Sequence, residues 1–295
     1  MTAAVSRVGP ALALTFNAFT WGVSWWPFRA LQAQGLHPLW ATVLIYAVAV
    51  LVLTLWRRGA WSELLRTRSL WPLVLAAGAT NASFNWGVTV GDVVRVVLLF
   101  YLMPLWAVLL ARLLLHEPLT RAAGLRVVLA LAGAVIVLWP AEMGSGMGGL
   151  PVPRTLPEWL GLLGGFSFAL NNVMLRREAA QPEAARALAM FLGGAVVAGG
   201  LAVALSAAGA VPLPPAPAAG WMLGALALAG VFLCGNLALQ YGAARLPANV
   251  TAVVMITEVL FAAGSAVWLG AGHVTPALAL GGALIVGATL LAGRD

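Results

Sequence analysis

Lysine is absent from this chain, cysteine occurs once, and charged side chains make up only 8% of its 295 residues. Ordinary soluble domains carry roughly a quarter charged residues. With 62% hydrophobic residues, the chain has too few polar groups to cover its own surface in water. The lone Cys234 sits in an apolar run, which excludes a disulfide framework and a thiolate metal site. His37, His116 and His273 lie far apart near the ends of apolar runs. None has the spacing of a zinc site, so neither a metal nor another cofactor is expected. The net charge of +7 comes from arginines scattered through short loops. Such scatter makes no concentrated face for nucleic acid. Period-two alternation is missing too, and a transmembrane β-barrel needs it.

What remains is a series of apolar stretches, each of about 20 residues and long enough to cross a hydrocarbon core as a helix. They fall near 9–29, 38–56, 70–90, 94–115, 122–140, 157–176, 186–207, 220–242, 249–270 and 276–293. The expected fold is therefore an all-α polytopic membrane protein with ten transmembrane helices. Arg7 precedes a first run of full spanning length, with no small-residue cleavage site before Trp25-Trp26-Pro27, so the first span reads as a helix rather than a signal peptide. With both termini cytoplasmic, 13 arginines fall inside and only Arg29, Arg95 and Arg154 outside. That bias sets the expected orientation. Tryptophans near span ends, such as Trp40, Trp56, Trp139 and Trp268, suit the membrane interface.

A repeat appears at an offset of 155 residues. Asn81-Ala-Ser-Phe-Asn85-Trp86-Gly87 aligns with Asn236-Leu-Ala-Leu-Gln240-Tyr241-Gly242, and Tyr101-Leu-Met-Pro104 falls without a gap on Ile256-Thr-Glu258-Val259. Residues 1–150 and 151–295 then form two five-helix units. Five is odd, so sequential copies must sit in opposite orientations. The loop charges agree. The loop after span two carries Arg57, Arg58, Arg66 and Arg68, while its counterpart after span seven carries none. Inverted repeats commonly give two exchangeable conformations around a site near the midplane, which points to a carrier.

Glu258 is the only carboxylate well inside a span. A carboxylate at such depth is costly and defaults to a functional reading, either holding a substrate ammonium or carrying a coupling proton. The plain alternative is a protonated Glu bonded to a neighbouring helix. Asn17, Trp21 and Ser24 share one side of the first helix by their spacing. Asn81 with Asn85, and Asn236 with Gln240, are pairs four apart, and Asn171 and Asn172 stand together in span six. Each amide could be interhelical glue, worth about 0.6 kcal/mol per bond. Their recurrence in both halves favours a shared cavity, where amides can bind either end of a zwitterion. Among mid-span aromatics, Tyr101 and above all Trp86 and Tyr241 are candidates, because the last two occupy equivalent repeat positions beside the paired amides. Packing or lipid contact is the alternative for each. Pro27 and Pro104 lie inside spans, and a proline there frees a carbonyl and supplies a hinge for gating.

Trp21-Gly22, Pro104, the Glu117-Pro-Leu-Thr120 turn and Arg176-Arg177 together resemble the EamA branch of the drug/metabolite transporter superfamily. The second half departs from that pattern. Val259 stands where the mid-span proline would be, and Ala271-Gly272-His273 replaces the usual Gly-Glu. Within the branch, Tyr101-Leu-Met-Pro104-Leu-Trp106 and the abundant tryptophan are similar to YddG-type aromatic amino-acid exporters. The resemblance implies efflux of phenylalanine, tyrosine, tryptophan and other neutral amino acids across a bacterial inner membrane, with membrane lipids as surroundings and protons as a candidate coupling ion. Lipophilic cations remain an alternative substrate, and a channel an alternative class. A phosphorylated substrate would need cations in the cavity; there is no lysine, and Arg95 and Arg112 lie toward span ends, which counts against it. An enzyme would need a nucleophile–base pair or metal ligands in the spans, and no such set occurs.

Overall fold

A computed structural model describes residues 8–116, 121–138, 152–243, 245, 254, 255 and 257–292. Among them the regular structure is helical, apart from turns and connecting loops. The elements are α1 (Val8–Val23), α2 (Trp25–Ala33), α3 (Pro38–Trp56), α4 (Gly59–Arg66), α5 (Trp71–Val90), α6 (Val93–Phe100) and α7 (Met103–Leu114). They are followed by α8 (Arg121–Leu138), α9 (Leu156–Arg177), α10 (Glu183–Ala207), α11 (Ala219–Ala243), α12 (Thr257–Trp268) and α13 (Pro276–Ala292). Among the described residues four stretches, Pro38–Trp56, Val93–Leu114, Glu183–Ala207 and Ala219–Leu239, are long and apolar enough to cross a membrane. Leu75, Leu226 and Leu260 lie in mid-helix and are more than half exposed. Such surfaces suit lipid and would be a liability in water. The Glu117–Thr120 turn, the glycine-rich 144–149 stretch and the start of the ninth apolar run lie outside the described residues.

Two of the expected spans are broken, and proline chemistry gives the reason. Pro27 and Pro104 cannot donate a backbone N–H. The first run changes at Ser24, whose hydroxyl donates to the Trp21 carbonyl at 2.8 Å. The fourth run breaks at Tyr101–Leu102, where Leu102 N–H donates to Leu99 and Leu105 N–H to Leu102, tighter turns than the α-helix uses. The carbonyl that loses its partner to Pro104 is that of Phe100. It packs against Gly165 so closely that a Cβ there would collide with it. A second departure is α4, a short amphipathic helix in the loop between spans two and three. Ala60 and Leu64 are buried, while Arg57, Arg58, Leu65 and Arg66 are exposed.

Glycines set the closest helix crossings. In α5, a Cβ on Gly87 would meet Leu160 of α9 at 3.2 Å; in α11, one on Gly242 would meet the Pro10 carbonyl of α1 at 2.7 Å. In α8, a Cβ on Gly133 would lie 2.6 Å from the Gly281 carbonyl and 2.7 Å from Ile285. Reciprocally, one on Gly281 of α13 would lie 2.8 Å from both the Gly133 carbonyl and Val137. The larger neighbourhood follows the same exchange. α5 packs on α9 and α10, as α11 packs on α1 and α3; α8 pairs with α13, and α3 with α10.

Candidate functional site

Glu258 lies in the first turn of α12 and is 9% exposed. It faces the break between α6 and α7. There the Tyr101 hydroxyl, itself buried, donates to Glu258 Oε2 at 3.1 Å and lies 3.5 Å from the Met255 carbonyl. Gly22 of α1 lets the α12 backbone come close here; a Cβ on it would sit 2.8 Å from the Glu258 carbonyl. Among the described residues the carboxyl meets no cation. A buried carboxylate with one phenol as partner keeps capacity for another donor.

Beside this pair runs an aromatic wall. The Trp21 ring stacks on Phe232 with centroids 4.5 Å apart and meets Phe84 edge-on at 6.3 Å. Trp21 and Phe232, with Tyr46, Phe191 and Asn236, line a cavity of about 20 Å³, room for about one water. Trp21 packs both against the core that holds Tyr101 and Val259 and against the core that holds Tyr46 and Phe232. It therefore bridges the two packed regions.

The amides are placed unevenly. Asn17 donates to the Gly235 carbonyl at 2.9 Å, and Asn85 to the Thr42 hydroxyl at 3.1 Å. Both are buried with Oδ1 unpartnered. Asn81 donates to the Ala77 carbonyl at 2.8 Å and accepts from the Tyr46 hydroxyl. Asn236 is on the cavity wall. Asn171 and the exposed Asn172 bond to each other near the far end of α9. The side chain of Gln240, like that of Pro104, lies outside the described residues.

Trp86 and Tyr241, the equivalent pair from the repeat, do not join Glu258. Trp86 meets the His37 ring edge-on at 5.3 Å, where burial holds the imidazole below its ordinary pKa. Tyr241 is 44% exposed, with the Arg245 guanidinium 4.1 Å over its ring. The Ser24 hydroxyl is engaged by the Trp21 carbonyl. Conversely, Tyr46, Phe191 and Phe232 complete the cavity without having been singled out in the sequence. For Tyr46 a signal was available, a hydroxyl at the middle of span two.

The arginines away from this region are engaged elsewhere. Arg29 donates to the Thr89 carbonyl at 2.9 Å and to that of Gly91, neutralising the C-terminal end of α5. Arg95 pairs with Glu158 at 2.9 Å and donates to the Val137 carbonyl at 2.8 Å.

Fold and site together define a helical membrane protein with a buried acidic and aromatic centre. Residues 9–139 match the model of the EamA-like transporter family. The matched segment runs from α1 through the end of α8. No curated protein matches the chain. A solved structure titled "Crystal structure of protein" is similar over 97% of this chain and 97% of its own, with a TM-score of 0.60 and 20% identity. At that identity the likeness shows the fold. The first half of the chain is thus similar to the EamA-like transporter family, and the apolar helices are of a length and composition that suit a membrane.

Proposed function

We propose that this protein is an inner-membrane secondary transporter that exports amino acids, aromatic ones together with other neutral ones, by alternating access. Ten spans form two inverted five-helix repeats, 1–150 and 151–295, with both termini cytoplasmic. The observation that carries the carrier reading is the buried Glu258–Tyr101 pair at the interruption between α6 and α7, since transporter sites form where broken helices meet near the midplane. Reciprocal packing supports the repeat. Gly133 against Ile285 and Gly281 against Val137 join the last helices of the two proposed units in one close crossing. Gly87 and Gly242, aligned by the repeat, each receive the start of a partner helix, α9 and α1 respectively. The family match closes after the fifth apolar run, where the first unit should end.

In this reading Glu258 receives the substrate ammonium and Trp21 and Tyr101 frame it. Asn17, Asn81, Asn85 and Asn236 supply the polar lining, and Pro27 and Pro104 supply bending points. Lipophilic cations are a second substrate reading, favoured by the pairing of Glu258 with an aromatic wall. Purified protein in liposomes loaded with labelled tryptophan tests the proposal. Saturable flux, competed by unlabelled aromatic amino acids, is expected. Flux that rises linearly with concentration would point to a channel instead. Repeating the assay with and without a pH gradient separates proton antiport from facilitated diffusion.

A further inference from the structure

Resting on the membrane-embedded reading alone, and not on the substrate, we infer that α4 and the arginines around it form a binding surface for anionic phospholipid. The two sides of α4 differ. Ala60 and Leu64, four apart, are buried in one core with Leu70, Val173 and Leu188. The helix is thus anchored on the same core as α5, α9 and α10. Arg58, Ser62, Leu65 and Arg66 recur at i, i+4, i+7 and i+8, so they share the other face. All of them are exposed, Leu65 to 62%. Trp56, at the end of α3, is 66% exposed just before this face, and the Arg57 guanidinium lies 5.3 Å over its ring. On the far side of α4 the Ser69 hydroxyl donates to Glu178 Oε2 at 2.6 Å. Arg68 and Arg177, each next in sequence to one of these bonded residues, are therefore part of one exposed surface.

The charge on this surface is not balanced from within. Among the described residues no carboxylate pairs with Arg57, Arg58, Arg66 or Arg68. Of the acids on these elements, Glu178 is buried and engaged by Ser69, Glu63 is half-buried, and Glu183 alone is exposed. In α10, Arg186 follows the core residue Ala185 and keeps a buried Nε without a hydrogen-bond partner. That is one more N–H open to an acceptor. Exposed arginines by themselves would suit any anion. Here they alternate with an exposed tryptophan and leucine, which fits a boundary between acyl chains and phosphates. Arginine forks match phosphate oxygens, and basic residues clustered on an amphipathic helix draw anionic headgroups. The occupant that uses both the charge and the apolar side chains is a phospholipid.

A bimane label on Ser62→Cys, in a Cys234→Ala background of the full chain, reports on this face. In neutral detergent micelles, phosphatidylglycerol should shift its emission to the blue and saturate. Phosphatidylcholine at equal content should shift it far less. Arg58→Gln combined with Arg66→Gln should raise the phosphatidylglycerol half-point about tenfold or more. Salt asks the same question with every arginine in place, should that variant fail to fold. Going from about 0.1 M to about 1 M shortens the Debye length from about 10 Å to about 3 Å and should raise the half-point severalfold. Equal shifts by both lipids, or a half-point indifferent to salt, would overturn the inference. So would a shift reproduced by inorganic phosphate, since the ligand would then be a free anion. No flux enters these readings, so they stand or fall separately from the amino-acid proposal.

Discussion

Glu258 gains its meaning from what does not surround it. Its described hydrogen-bond partner is a phenol, and Arg29 and Arg95 are bound at helix ends by carbonyls and by Glu158. Replacing Glu258 with Gln keeps the shape and removes the charge. We expect kcat/KM for ammonium-bearing substrates to fall about 10- to 100-fold, the worth of a charge-assisted hydrogen bond. Tyr101→Phe removes a single neutral donor and should cost only about fivefold. Initial rates in liposomes measure both, and a Glu258→Gln variant with unchanged rates would remove the carboxyl from the mechanism. Glu258 was legible from the sequence because a carboxyl in a long apolar run has few bland explanations. The faces of Trp86 and Tyr241 were not legible. A residue next to Asn85 is turned about 100° from it on a helix, and only the neighbouring helices decide which direction is inward. For Trp86 that neighbour is His37, and for Tyr241 it is a surface arginine.

Elements meet here through missing side chains. Gly133 and Gly281 let α8 and α13 approach until each carbonyl nearly touches the other glycine's α-carbon side. Gly133→Ala and Gly281→Ala should each destabilise by about 1–3 kcal/mol, the usual cost of overpacking. The double variant should cost less than the sum, because both relieve one contact. Gly124 and Gly287 occupy the same two helices with open space around them. There the change to Ala should be neutral or stabilising by up to about 1 kcal/mol. Thermal unfolding in detergent micelles reads all four. Helix existence and extent followed from apolar length, so α3, α10 and α11 lie close to their expected bounds. The breaks in the first and fourth runs were readable only as proline positions. Whether a proline merely kinks a helix or divides it depends on what receives the freed carbonyl, and Gly165, from a distant part of the chain, does so for Phe100. The amphipathic α4 was hidden inside an arginine-rich loop, where eight residues are too few for periodicity to stand out.

For the whole molecule, opposite orientation of two five-helix units makes a prediction about sidedness. Ser62 in α4 and Leu213 in the loop before α11 are both exposed, and the proposed orientation would put them on opposite faces. In a Cys234→Ala background, Ser62→Cys should react with a membrane-impermeant maleimide only from the cytoplasmic side. Leu213→Cys should react only from the outside of intact cells. Labelling of both from one side would contradict the ten-span arrangement. Trp21 adds a consequence in time rather than space. It packs against both the core around Tyr101 and the core around Phe232, so in the proposed transport cycle a turn of this one indole would loosen the contact between them. Side-chain rotation is far faster than the micro- to millisecond rocking of helical units. In the proposed alternating-access cycle, rotation of the ring and reorientation of the bundle would then be separate clocks, the first set by one side chain and the second by whole helices.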